Sequence, residues 1–312
     1  MIDITQLRFF TTCLLLAILS VAKASEISID DTYTEIYNVQ QELNIIKQYL
    51  KIDKEIIPPQ VTLQVVPRLT WQKTYQILFK LDHIHEKYNL PRLNIPSREP
   101  EKDVSTAVIY EQVCRIRTEL FLLKRVFDIK TEIPPPPVFT KKTQLDNYNA
   151  LNQILYELDA FTGTSFLPSH VFGQAMRIHY DIDALLYALE LTDSTLPPPK
   201  KDNVLPVDVF NAGLTLIKEM QEIQTHLNIN KINLNINVYQ RNSIQQITPT
   251  ETFGMTGFVL AELQVIKAYL GLTNVITPVA QIYQGKIPAD TLQILEWNIA
   301  RIRLISKAIK QL

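Results

Sequence analysis

The chain has 312 residues, 46% of them hydrophobic, enough apolar material for a sizeable core in one large domain or two ordinary ones. Its 7 glycines are too few and too scattered for a doubly wound nucleotide-binding fold or a collagen, which both need glycine at set spacings. A formal net charge of −1 supplies no global field to recruit nucleic acid or an anionic membrane.

Residues 1–24 read as a cleaved secretory leader. Arg8 gives a positive start, Phe9 to Ala22 is an apolar run, and Ala22-Lys23-Ala24 puts small residues where a signal peptidase reads them. A membrane anchor is the competing reading, but the run has about 14 residues against roughly 20 for a spanning helix. No later segment approaches that length, so the expected location is periplasmic or secreted, with no transmembrane segment after leader removal. Cys13 falls inside the leader. That leaves Cys114 as the one thiol of the exported chain and excludes an internal disulfide. Cys114 is expected as a small buried residue on a helix face, with a redox or intermolecular role as the alternative.

Beyond the leader, apolar residues recur at helical spacing in eight long stretches. In the first, Tyr33, Ile36, Val39, Leu43, Ile46 and Leu50 step by three and four along one face. The others cover about 69–89, 104–127, 143–161, 168–189, 206–227, 250–270 and 288–311, with prolines between them. The stretches alternate between two types. Glu42-Leu43 to Leu50, closing at Pro58, matches Glu262-Leu263 to Leu270, closing at Pro278. Glu119 to Phe127 with Pro134–Pro137, and the more diverged Asp183 to Leu189 with Pro197–Pro199, are further copies. The expectation is all-α: four tandem helix pairs of about 72 residues, two in 25–165 and two in 166–312, as bundle-like layers or an elongated array sharing one core.

Helix starts repeat too. Pro168, Pro206, Pro249 and Pro288 each open a stretch, three of them followed two residues later by Asp208, Glu251 or Asp290. Proline at the first helical position loses no hydrogen bond, and the acid meets the positive end of the helix dipole. The proline-rich connections are long enough to run back along a helix and join parallel neighbours, but antiparallel pairing is the default expectation. Their recurrence also admits a docking edge for partners. Ile232 to Val238 alternates with strand period and is read as an extended linker on the bundle, or as a strand added to a partner.

Little here points to catalysis. His83 and His85 are two apart on a helix and face different ways, and position 89, where a zinc-protease helix would need histidine, is Asn. His170 and His226 lie elsewhere. His179 with Asp181 and Asp183, joined by Arg177, forms a small polar cluster, which is the first place to look for a site. No Glu-x-x-His, Cys-x-x-Cys-His, Gly-x-Ser-x-Gly or Walker pattern occurs, so neither cofactor nor metal is expected. Lys47, Lys124 and Lys267 recur at one repeat position near a helix C-terminus. They either complement the dipole or form a ladder for an acidic partner. Trp71 and Trp297 are expected in the core. The leading expectation is therefore an exported, non-catalytic interaction or scaffold module whose partner is another exported or envelope protein. The alternatives are a small-molecule-binding bundle, with Tyr180, Tyr187, Tyr269 and Tyr283 as weak support, and an exported enzyme.

Overall fold

The computed structural model describes residues 26–53, 58, 65–95, 104–163, 166–229 and 247–311; the leader and the alternating stretch 232–238 lie outside them. Eight helices follow one another: α1 (Ile29–Tyr49), α2 (Pro67–Lys87), α3 (Thr106–Val126), α4 (Gln144–Thr162), α5 (Pro168–Ala188), α6 (Pro206–His226), α7 (Pro249–Tyr269) and α8 (Pro288–Ile309). There is no strand among the described residues. The chain is all-α, and the last seven helices start and end within one turn of the positions read from periodicity.

Local chemistry explains both ends of each helix. Ser28 with Asp31 and Thr143 with Asp146 form reciprocal capping boxes at α1 and α4. At α6, α7 and α8 the third-position acid accepts the N–H of the residue before the proline: Asp208 from Leu205, Glu251 from Thr248, Asp290 from Ile287. Six helices then stop in the same way. At the ends of α1, α2, α3, α5, α6 and α7 an apolar residue (Ile52, Leu90, Ile129, Leu191, Ile229, Leu272) donates back to the carbonyl five residues earlier. The residue before it takes a left-handed conformation, with φ of 54° at Lys51, 53° at Glu190 and 76° at Gly271.

The helices form two sets of four. In the first, α1 and α2 each pack on α3 and α4; in the second, α5 and α6 each pack on α7 and α8. The two helices of one repeat therefore stand diagonally across their bundle. Within a set, all four run the same way. Glu35 on α1 meets Arg117 on α3 at 3.1 Å, and seven residues further along both helices Glu42 meets Lys124 at 2.6 Å. Asp30, at the start of α1, accepts the backbone N–H groups of Lys141 and Lys142 just before α4. On α2 and α4, Thr70 meets Gln144 and Lys80 meets Asp159, again in ascending order. In the second set Pro168, Pro206, Pro249 and Pro288 surround one apolar dimple.

The antiparallel expectation is thus overturned, and the connections supply the reason. The segment between α5 and α6 runs down the side of α8: Asp193 bonds Arg301, Thr195 bonds Trp297, the Pro198 carbonyl bonds Gln293 and Lys200 bonds Asp290. The segment between α7 and α8 descends α5 in the same manner, with Thr277 on Asp181, Pro278 on Arg177 and Tyr283 against Phe172. A 21-residue helix rises about 31 Å, and an extended strap at about 3.1 Å per residue covers that span with ease. Parallel packing gathers four positive helix ends at one face, which the carboxylates of Asp208, Glu251 and Asp290 offset.

The two bundles run in opposite directions. After Gly163 (φ 75°) the chain turns from α4 into α5, and α2 lies antiparallel to α7, pairing Arg68 with Glu262 at one end and Phe79 with Phe253 at the other. These two helices are buried on nearly every side, and one apolar core draws residues from all eight helices.

Candidate functional site

The His179 cluster divides in the structure. His179 and Asp183 face α8, where Arg301 bonds Asp183, Asp193 of the strap at 2.8 Å and the His179 carbonyl. His179 Nδ1 lies 2.9 Å from Asn298 Oδ1 and 3.0 Å from an Arg301 nitrogen, while Asn298 Nδ2 has no partner among the described residues. The two contacts ask opposite roles of Nδ1, donor to the Asn298 oxygen and acceptor from the Arg301 N–H. Trp297 lies against His179 and ties its Nε1 to Thr195, so this half-buried side chain holds the strap to α8. Trp71 is core, stacked on Tyr75. Asp181 belongs to a different arrangement between α5 and α7. It meets Lys267 at 2.7 Å and Thr277 at 2.8 Å, and burial pushes its carboxyl above the usual range against the pull of Lys267. Arg177 bonds the Pro278 carbonyl and Gln174 beneath the strap, and its charge also bears on Asp181.

Lys47, Lys124 and Lys267 do not line up as an exposed ladder. Each reaches a carboxylate on a neighbouring helix, Glu157, Glu42 and Asp181 respectively, and Lys124 and Lys267 are buried. Their recurrence reflects a repeated interhelix bond. Cys114 also departs from expectation. It is half-buried in an open groove with Glu35, Arg117 and Phe121, and burial together with Glu35 pushes its thiol up.

The seam between the bundles is unexpectedly polar. Lys73 is buried there, bonded to Gln76 and set over the Tyr148 ring, and burial pushes it down to about 7 against Glu251 and Asp159. Lys80 pairs with Asp159 at 2.8 Å, and Thr250 bonds the same carboxylate. Gly257 lets α7 come close, since a Cβ there would lie 3.1 Å from Gln76 and 3.2 Å from Gln72.

Where this seam opens to solvent, a cleft of about 540 Å³ is lined by Lys80, His83, Glu86 and Lys87 on one bundle and Leu167, Ser169 and His170 on the other. His170 takes the position that an acid holds at α6, α7 and α8. Its Nδ1 accepts the Leu167 N–H at 3.1 Å, so its proton sits on Nε2 and points at His83 Nε2, 2.7 Å away. Burial pushes His170 down to about 3, helped by His83 and Lys80, and lowers His83 as well. A metal ion would need the His170 Nε2 lone pair that this cap fills with a proton, so the pair as built shares a proton, not an ion. His85 points elsewhere, to the Pro91 carbonyl at 3.0 Å and Glu119 at 3.7 Å; His226 is exposed at the end of α6.

Compared with known protein families, curated proteins and solved structures, the chain has no match. Its surface must therefore speak for itself. The sequence reading missed His83–His170 and Lys73, because their partners sit in other helices. It offered the proline-rich connections as a docking edge but not the apolar side chains on their outward faces, where Val138 is 92% and Leu196 83% exposed, with Ile276, Val279 and Ile282 exposed on another. The Leu196 strap roofs a groove of about 700 Å³ floored by Ala212, Leu292 and Ile299 and rimmed by Lys201, Glu296 and Arg303.

Proposed function

We propose that this chain is an exported, non-catalytic interaction module that presents its return straps to another exported or envelope protein. The observation that carries the reading is the outward placement of Val138, Leu196, Ile276, Val279 and Ile282 on segments clamped to rigid bundles. Apolar side chains left in water on a fixed frame mark contact surface, and a pre-ordered frame lowers the entropy cost of binding. Export is part of the same proposal and rests on the leader read at residues 1–24. Among the described residues, no helix is long and apolar enough to cross a membrane.

The groove between the Leu196 strap, α6 and α8 supports a second reading, an amphipathic small molecule held by its apolar floor and charged rim. Native mass spectrometry of the processed chain, gently purified from its source cells, separates the two. A bound protein mass supports the interaction module; a bound mass of a few hundred daltons supports the ligand reading. A bare monomer, also in chemically crosslinked cells, overturns both, and an unprocessed N-terminus overturns export.

A further inference from the structure

We infer that the strap between α3 and α4 is a preformed polyproline ligand, built to enter an aromatic-lined groove on a partner protein. The inference rests on the interaction reading above and names the partner's chemistry.

The conformation follows from the sequence. In Ile133-Pro134-Pro135-Pro136-Pro137-Val138 each residue from Ile133 to Pro136 precedes a proline and is driven into extended backbone, while each proline ring fixes its own φ. Four consecutive residues without N–H groups cannot join a sheet edge or a helix, and their carbonyls point to solvent as acceptors. The structure then pins this segment at both ends. Ile133 is half-buried beside the groove between α1 and α3, and Phe139 lies 4.9 Å from Tyr33 and 5.3 Å from Tyr37 on α1. Between these anchors all four prolines and Val138 stand exposed. Stiffening a strap requires prolines, but it gives no reason to aim a valine into water one residue before the anchoring phenylalanine.

A related arrangement occurs on the second bundle. Leu196 stands exposed before Pro197, Pro198 and Pro199, and this segment is clamped by Thr195 on Trp297 and by the half-buried Pro198, whose carbonyl bonds Gln293, which leaves Leu196, Pro197 and Pro199 outward. Both runs are followed by paired lysines, Lys141-Lys142 and Lys200-Lys201. Flat tyrosine or tryptophan side chains fit the ridges of such a helix, and their O–H or N–H groups meet its carbonyls. An acidic rim on the partner would complement the exposed Lys141 after the first run, whereas Lys200 and Lys201 are already paired with Asp290 and Glu296.

The test places p-benzoylphenylalanine in source cells at Val138, and separately at the exposed Lys218 of α6 as a control. The expected result is one discrete protein product at Val138, suppressed by added decaproline. That protein, purified, should bind the whole chain. Val138→Asp should abolish binding, and joint Pro135→Gly and Pro136→Gly should weaken it about tenfold by loosening the preformed helix. Circular dichroism spectra of the same variants should keep the parent's helical signal and a cooperative melt, with the double glycine variant melting a few degrees lower, which separates lost recognition from lost folding. Binding indifferent to these changes and to decaproline overturns the inference. A partner caught at Lys218 but not at Val138 also overturns it and leaves the interaction reading standing; no product at either position removes both.

Discussion

Asp181 on α5 and Lys267 on α7 meet at 2.7 Å with both side chains shut off from solvent, and Thr277 of the returning strap closes the pair by bonding each of them. A buried ion pair is weak evidence of net stability, because desolvation offsets most of its attraction, but removing one partner strands the other. The pair therefore fixes the register of two parallel helices and the place where the strap crosses them.

Lys267→Met should lower the unfolding free energy by about 3–5 kcal/mol, since Asp181 is left buried without its cation. Adding Asp181→Leu should recover much of that loss. Urea denaturation of the two single variants and the double variant measures the coupling, and additive losses would show that the pair is not a unit.

The His83–His170 joint predicts acid sensitivity above the carboxylate range. Both rings hold pKa values below those of free histidine, so the unfolded chain binds more protons as pH drops below about 6.5. Stability should be full above that pH and decline as pH falls toward the folded value of about 3 for His170. His170→Asp would restore the acid used at α6, α7 and α8, and should flatten the slope between pH 6.5 and 4.5. Chemical denaturation at stepped pH decides it; an unchanged slope would assign the sensitivity elsewhere.

Lys73 predicts an opposite flank. Burial holds it near 7 in the folded chain, against about 10.4 when unfolded, so folding is penalised below pH 7 and released as pH climbs toward 10. Stability should therefore rise over that interval, and Lys73→Met should remove most of the rise. Lys80, also lowered by burial but paired with Asp159, should leave a smaller residue of it.

Gly173 is where the backbone of the α7–α8 strap comes closest against α5 among the glycine sites. A Cβ there would stand 2.2 Å from the Gln281 carbonyl oxygen, which belongs to backbone and cannot swing away. Gly173→Ala should lift the strap and cost about 1–3 kcal/mol, the usual range for overpacking. Limited proteolysis should then cut within 273–286, where the parent chain resists.

The helices, their first prolines and acids, and the repeat of their endings were legible in the residues alone. Those features are local: a stripe at i, i+3 and i+4, a proline where no N–H is needed, and an apolar residue closing the last turn all act within a few residues of one another. Helix direction was not legible. An apolar stripe buries equally well against a parallel or an antiparallel neighbour, and straps such as 189–205 are long enough for either route. Only their bonds along the whole of α8, from Asp193–Arg301 to Lys200–Asp290, decide for the return. Tertiary structure alone also gave the recurrent lysines their buried partners and brought His83 to His170 across 87 positions. Burial and charge pairing depend on which faces meet, and that is decided when the two bundles pack in opposite directions along α2 and α7.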